Sequence, residues 1–132
     1  MRILAPLFLA ALAGCAASPF DQPYSWIERD PMRAADPLVI PVIVNRVDGV
    51  TSQWPDRALV TPGRHVVTLD VPPRKGFSIA TQVDFELDVA PCTRYYVAAR
   101  LATTVTQDWA PIVRSTQRLG DCEAKFHVSG AK

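Results

Sequence analysis

The clearest signal along the chain is alternation. Across residues 83–89 the apolar Val83, Phe85, Leu87 and Val89 interleave with Asp84, Glu86 and Asp88. In an extended chain successive side chains point to opposite faces, so this period of two predicts a strand that is dry on one side and wet on the other. Pro91 closes it. The rhythm recurs across 64–71, with His65, Val67, Leu69 and Val71 on one face and Arg64, Val66, Thr68 and Asp70 on the other. Residues 93–105 give a third strand, with Tyr95, Val97, Ala99, Leu101 and Val105 on its inner side. A β-branched run at 38–44 is interrupted by Pro41, which suits an edge strand or a bulge. Asp48-Gly49 and Thr61-Pro62-Gly63 read as turns around a short apolar stretch at 57–60. Weaker strands are expected at 110–119 and 124–128. No long helical period competes with these elements. Six or seven strands separated by turns predict an all-β fold, a single antiparallel β-sandwich over 38–132.

The N-terminal third lacks this rhythm. After Arg2, residues 3–13 are apolar without a break, and residues 4–12 offer no polar face with which to lie on a core. As a helix the run would be about 16 Å long, half of the roughly 30 Å that a bilayer core requires. One positive charge ahead of a short apolar stretch is instead the layout of an export signal, expected over 1–14. Beyond it, Pro19, Pro23, Pro31 and Pro37 stand among small and polar residues, so 15–37 reads as a tether spanning roughly 26 Å as a flexible chain. Tyr24, Trp26 and Ile27 are unusual in a spacer. Ser25 and Glu28 have capping-box spacing, which leaves a docked helical turn as the alternative.

Leu12-Ala13-Gly14-Cys15 resembles the lipobox of bacterial lipoproteins. That resemblance implies a diacylglyceryl group on the Cys15 thiol, cleavage just before it, and acylation of the new amino group. Several acyl chains on one residue would make the anchor permanent. In Gram-negative families with this motif, Asp after the cysteine retains the protein in the inner membrane; Ala16 in that place implies the periplasmic face of the outer membrane. Residues 42–71, with Val-Asp-Gly, Thr-Pro-Gly and an alternating strand, are similar to PEGA-like domains, small envelope β-sandwiches. The tetrapeptide that names those domains is missing.

At 132 residues the chain has room for one domain, and 48% hydrophobic content excludes disorder throughout. Loss of Arg2 with the signal reduces 14 Lys and Arg to 13, equal to the 13 Asp and Glu. A neutral domain has no basic footprint for nucleic acid, and its membrane attachment would rest on lipid alone. Lipidation of Cys15 leaves Cys92 and Cys122, which in an oxidising compartment are read as a disulfide. With no Cys-x-x-Cys spacing, a metal pair or two free thiols are the less favoured readings.

Candidate chemistry is sparse. Alternate carboxylates of the Asp84, Glu86, Asp88 row stand roughly 7 Å apart, too far to share a cation unaided, so a solvated face is expected. His65 and His127 have no metal-ligand spacing; His65 follows a turn and is expected to cap the sheet end. Ser115, His65 and Asp108 compose a triad only on paper, without a nucleophile elbow. No cofactor motif is present. Adjacent tyrosines in a strand face opposite ways, so Tyr96 is expected outside, beside Arg94 and Arg100, and with Trp109 these form the candidate binding surface. The expectation is a lipid-anchored envelope protein that acts by contact with another protein and catalyses nothing. The alternative is a module for a small ligand or glycan stacked on Trp54, Trp109 and Tyr96.

Overall fold

The protein is described by a computed structural model over residues 18–31, 35–72, 82–105 and 108–128. The expected signal segment and Cys15 lie outside the described residues. In chain order the strands are β1 (Ser25–Arg29), β2 (Val39–Ile40), β3 (Ile43–Val47), β4 (Val50–Thr51) and β5 (Arg57–Val60). There follow β6 (Gly63–Asp70), β7 (Gln82–Val89), β8 (Thr93–Leu101), β9 (Trp109–Arg118) and one short helix, α1 (Gly120–Phe126).

Two sheets pack face to face. The first runs β5-β1-β8-β9, with β2 on the same side of β8 as β1 but further along it. The second runs β4-β3-β6-β7. Every described pairing is antiparallel except that of β1 with β8. The dry faces meet in a core of small and β-branched residues. Ile27, Val60, Val97 and Ala99 come from the first sheet, and Val44, Val67, Leu69 and Val89 from the second. Phe85, Leu87 and Trp109 pack at its margin. This is the sandwich that the alternating pattern predicts, each strand placing every second side chain against the facing sheet.

Local chemistry sets the corners. Asp48 and Gly49 both adopt positive φ, 51° and 78°, giving the two-residue hairpin turn that matches strand twist between β3 and β4. Pro41, unable to donate to a ladder, falls where the chain leaves β2 in the first sheet and enters β3 in the second. Pro111 is accommodated because β9 is an edge strand. An extra residue, Arg114, bulges from β9 where its register against β8 shifts between Tyr96 and Val97.

Four expectations require correction. The stretch read as a tether supplies β1, which lies between β5 and β8 rather than outside the domain. The helical turn proposed on Ser25 and Glu28 is likewise a strand. Ser25 and Ile27 face inward while Trp26 and Glu28 face out, and the burial of Ile27 outweighs the capping spacing. Residues 120–126 form α1 where a strand was expected at 124–128, because Cys122 and Phe126, one helical turn apart, both turn toward the domain. Val105, assigned to the inner side of the third strand, lies beyond the end of β8 and is 75% exposed.

The end of the sandwich where β8 begins is tied together more closely than any local pattern indicates. Cys92 and Cys122 form a disulfide that fixes α1 to the β7–β8 turn. The Cys92 amide donates to the carbonyl of Tyr24, and its own carbonyl accepts from Leu119. Ser25 is fully buried; its hydroxyl donates to Ala90 O at 2.6 Å and accepts from the Thr93 amide at 3.1 Å.

Candidate functional site

The outer face of the first sheet brings together residues from four strands. Parity along β8 sends Arg94, Tyr96, Ala98 and Arg100 outward, and the register of β1 sets Trp26 beside Arg94 and Glu28 beside Tyr96. On the other side of β1, Leu59 stands opposite Trp26 and Arg57 opposite Glu28. On β9, Gln117 and Ser115 oppose Arg94 and Tyr96.

These side chains form one connected row. The Arg57 guanidinium lies 5.0 Å from the ring centroids of both Trp26 and Trp54, whose own centroids are 5.8 Å apart. A cation against an indole face is attracted by the ring quadrupole, and here one cation serves two rings. Arg94 Nε lies 3.2 Å from Glu28, a charge contact without the angle of a directed hydrogen bond. Arg94 and the Tyr96 hydroxyl both donate to the same oxygen of Gln117, at 3.1 and 3.0 Å. The row is half-buried, and Trp54 at its end is 37% exposed.

Of the expected binding surface, Arg94 and Tyr96 stand together as parity predicts. Arg100 is on the same face but further along, ion-paired with Asp36 at 3.0 Å. That pairing and the amide of Leu38 hold the Asp36 carboxyl below its ordinary pKa, the amide contributing most. Trp109 departs from the expectation. It opposes Leu101, shares its inward face, and packs on the core margin; its Nε1 is buried without a hydrogen-bond partner among the described residues. The rest of the row, Trp26, Arg57 and Glu28, was missed. The period-2 pattern of Ser25, Trp26, Ile27 and Glu28 was the signal available.

A second feature opens where β1 and β2 share one side of β8. Between their pairing positions lies Ala98, the floor of a cleft of about 510 Å³ lined by Asp30, Asp36, Val39 and Arg114. The bulge on β9 aims Arg114 at Asp30, 2.9 Å away, across this cleft.

The paper triad is not assembled. Ser115 lies on the outer face of the first sheet and His65 on the second sheet, while the Asp108 carbonyl accepts from Ala102 at the far end of β8. The nitrogens of His65 are both engaged, Nδ1 with Asp48 and Nε2 with the carbonyl of Thr61, each at 2.6 Å. Both partners are acceptors, so the doubly protonated ring is the form that satisfies both contacts. Desolvation lowers the imidazole pKa, but the two hydrogen bonds and the Asp48 charge together outweigh it and leave the value raised. Asp48 is lowered in turn, first by His65 and then by the Val66 amide. The two contacts tie the β3–β4 turn to β6. The carboxylate row on β7 finds partners across the ladder, Asp84 with Thr68 and Asp88 and Glu86 with Arg64.

Comparison with known protein families, with curated proteins and with solved structures finds no match to this chain.

Proposed function

We propose that the chain is a lipid-anchored envelope protein whose sandwich works by binding another protein through the outer face of the first sheet. The observation that supports this most is the row Trp54, Arg57, Trp26, Arg94 and Tyr96, of which all but Trp54 are set on strands. Tryptophan, tyrosine and arginine are the residues that dominate protein contacts, since each combines a large apolar area with a directed polar end. The row is held by cation–π and hydrogen-bonded contacts, so little side-chain freedom remains to be lost on association. Stacking of a sugar or small ligand has less support. Arg57 lies against both Trp26 and Trp54, and Trp109 faces the core.

Photocrosslinking in cells tests the reading. A photoreactive residue at Tyr96 or Trp54 should capture a defined protein, whereas one at Val66, exposed on the second sheet, should not. Arg94→Ala combined with Tyr96→Ala should abolish capture from Trp54 while leaving the fold intact. Equal capture from both sheets, or from neither, contradicts the assignment.

A further inference from the structure

The sandwich meets its anchor with almost no slack. Residues 18–24 are fastened to the domain at the end where β8 begins. A turn is closed by the Asp21 amide on Ser18 O at 2.9 Å and by the Ser18 amide on the Asp21 carboxylate at 3.0 Å. Lys125 of α1 donates to Phe20 O at 2.7 Å. The Phe20 ring stands edge-on to Tyr24, and Tyr24 edge-on to Phe126. The turn is therefore pinned to the domain through Phe20, and its first residue, Ser18, stands three residues after Cys15. Three Cα steps span at most about 11 Å, less than half of the reach expected of a tether over 15–37. The headgroup layer on each side of a bilayer is itself roughly 5–8 Å deep. An acylated Cys15 at the level of the headgroups thus leaves the domain no room to stand away from the membrane.

The end of the domain held there is apolar in the right place. Phe20 is 41% and Val50 71% exposed, and between them runs an open groove of about 570 Å³ lined also by Pro19, Val47 and Leu59. The ionisable groups that line it, Asp48 and His65, are paired with each other at 2.6 Å, so electrostatic attraction to anionic lipid is not the main force. An aromatic ring and a β-branched side chain beside an anchor are suited to burial at the boundary of headgroups and acyl chains.

We infer that this pole, with Phe20 and Val50 at its rim, rests on the bilayer surface as a second, non-covalent contact and fixes the orientation of the domain. The strands then rise from the membrane; Trp54, which lines the same groove, sits next to the bilayer, and the Arg94 and Tyr96 part of the row faces sideways, toward partners in the plane of the same membrane. The inference rests on acylation of Cys15.

The test uses the mature acylated protein in vesicles of phosphatidylethanolamine and phosphatidylglycerol. With Cys15 acylated and Cys92 bonded to Cys122, a single added cysteine is the only free thiol, at Val50→Cys near the membrane or Val105→Cys at the opposite end. Each is labelled with a fluorophore and exposed to lipid carrying a headgroup spin label. Quenching several-fold stronger at position 50 than at position 105 is expected, and inserting twelve Gly and Ser residues between Ala17 and Ser18 should reduce the difference. Equal quenching in protein whose mass shows the acyl chains overturns the orientation alone. Protein isolated from cells without acyl mass overturns the anchored reading, and the orientation with it.

Discussion

At the scale of single residues, polar groups do most to distinguish this sandwich from a generic one. His65 was legible as a residue at a sheet end, because it follows a turn and has inner parity, yet its partners were not. Asp48 is 17 positions away, and only the hairpin turn brings its carboxylate to Nδ1. The pair makes stability depend on pH with a defined sign. Folding raises the His65 pKa above 6.5, so the folded chain binds that proton more tightly than the unfolded one. The stabilisation is complete below the unfolded value and fades as pH rises through the folded one. The Asp48 contribution runs the other way, complete above 3.8 and lost on acidification. Melting temperatures at about pH 5.5 and about pH 8.5 should therefore fall more in the native protein than in a His65→Gln variant. Identical pH dependence in the two proteins would show that the imidazolium pair contributes nothing.

The strands β6, β7 and β8 were read from alternation, since each buries one face of its pleat against the opposite sheet and exposes the other. Elements that depend on a distant partner were not legible. α1 is seven residues long, too short to hold by helical propensity, and it exists where the Cys122 sulfur and the Phe126 ring find their contacts. The bridge itself was legible from the cysteine count. Its two ends are 30 positions apart, so in the chain-entropy description it restricts the unfolded state by about 3.7 kcal/mol. Replacing both Cys92 and Cys122 by Ala should lower stability by an amount of that order in urea titration. Amide exchange should quicken first across α1 and at Leu119, whose amide bonds the Cys92 carbonyl. A double variant as stable as the native protein, with α1 equally protected, would mean that the helix is held by its other contacts.

The whole molecule shows why the candidate site was only half legible. Parity within β8 is enough to set Arg94 and Tyr96 on one face, but Trp26, Glu28 and Arg57 join them only because β1 is inserted between β8 and β5. That parallel pairing with a strand nearly 70 positions away is a property of topology, which local periodicity does not encode. Placing β1 inside the sheet also moves the domain boundary, and this separates the two readings of the N-terminal segment sharply. If 15–37 were a tether, a chain beginning at residue 38 would fold. In the structure its loss removes Ile27, fully buried, and leaves β8 and β5 each with an unpaired edge facing the other. Truncation of a buried isoleucine to alanine alone costs about 2–5 kcal/mol. The lost ladder hydrogen bonds add about 1 kcal/mol each, against a total stability of about 5–15 kcal/mol for a typical domain. A protein beginning at Ser18 should give dispersed amide resonances and a cooperative melt, and one beginning at residue 38 should give neither. Adding a synthetic peptide of residues 18–37 should restore structure to the shorter chain, because the missing strand has a preformed place on both of its neighbours. A cooperative melt from the shorter chain alone would return β1 to the linker and dissolve the row of aromatic and arginine side chains built upon it.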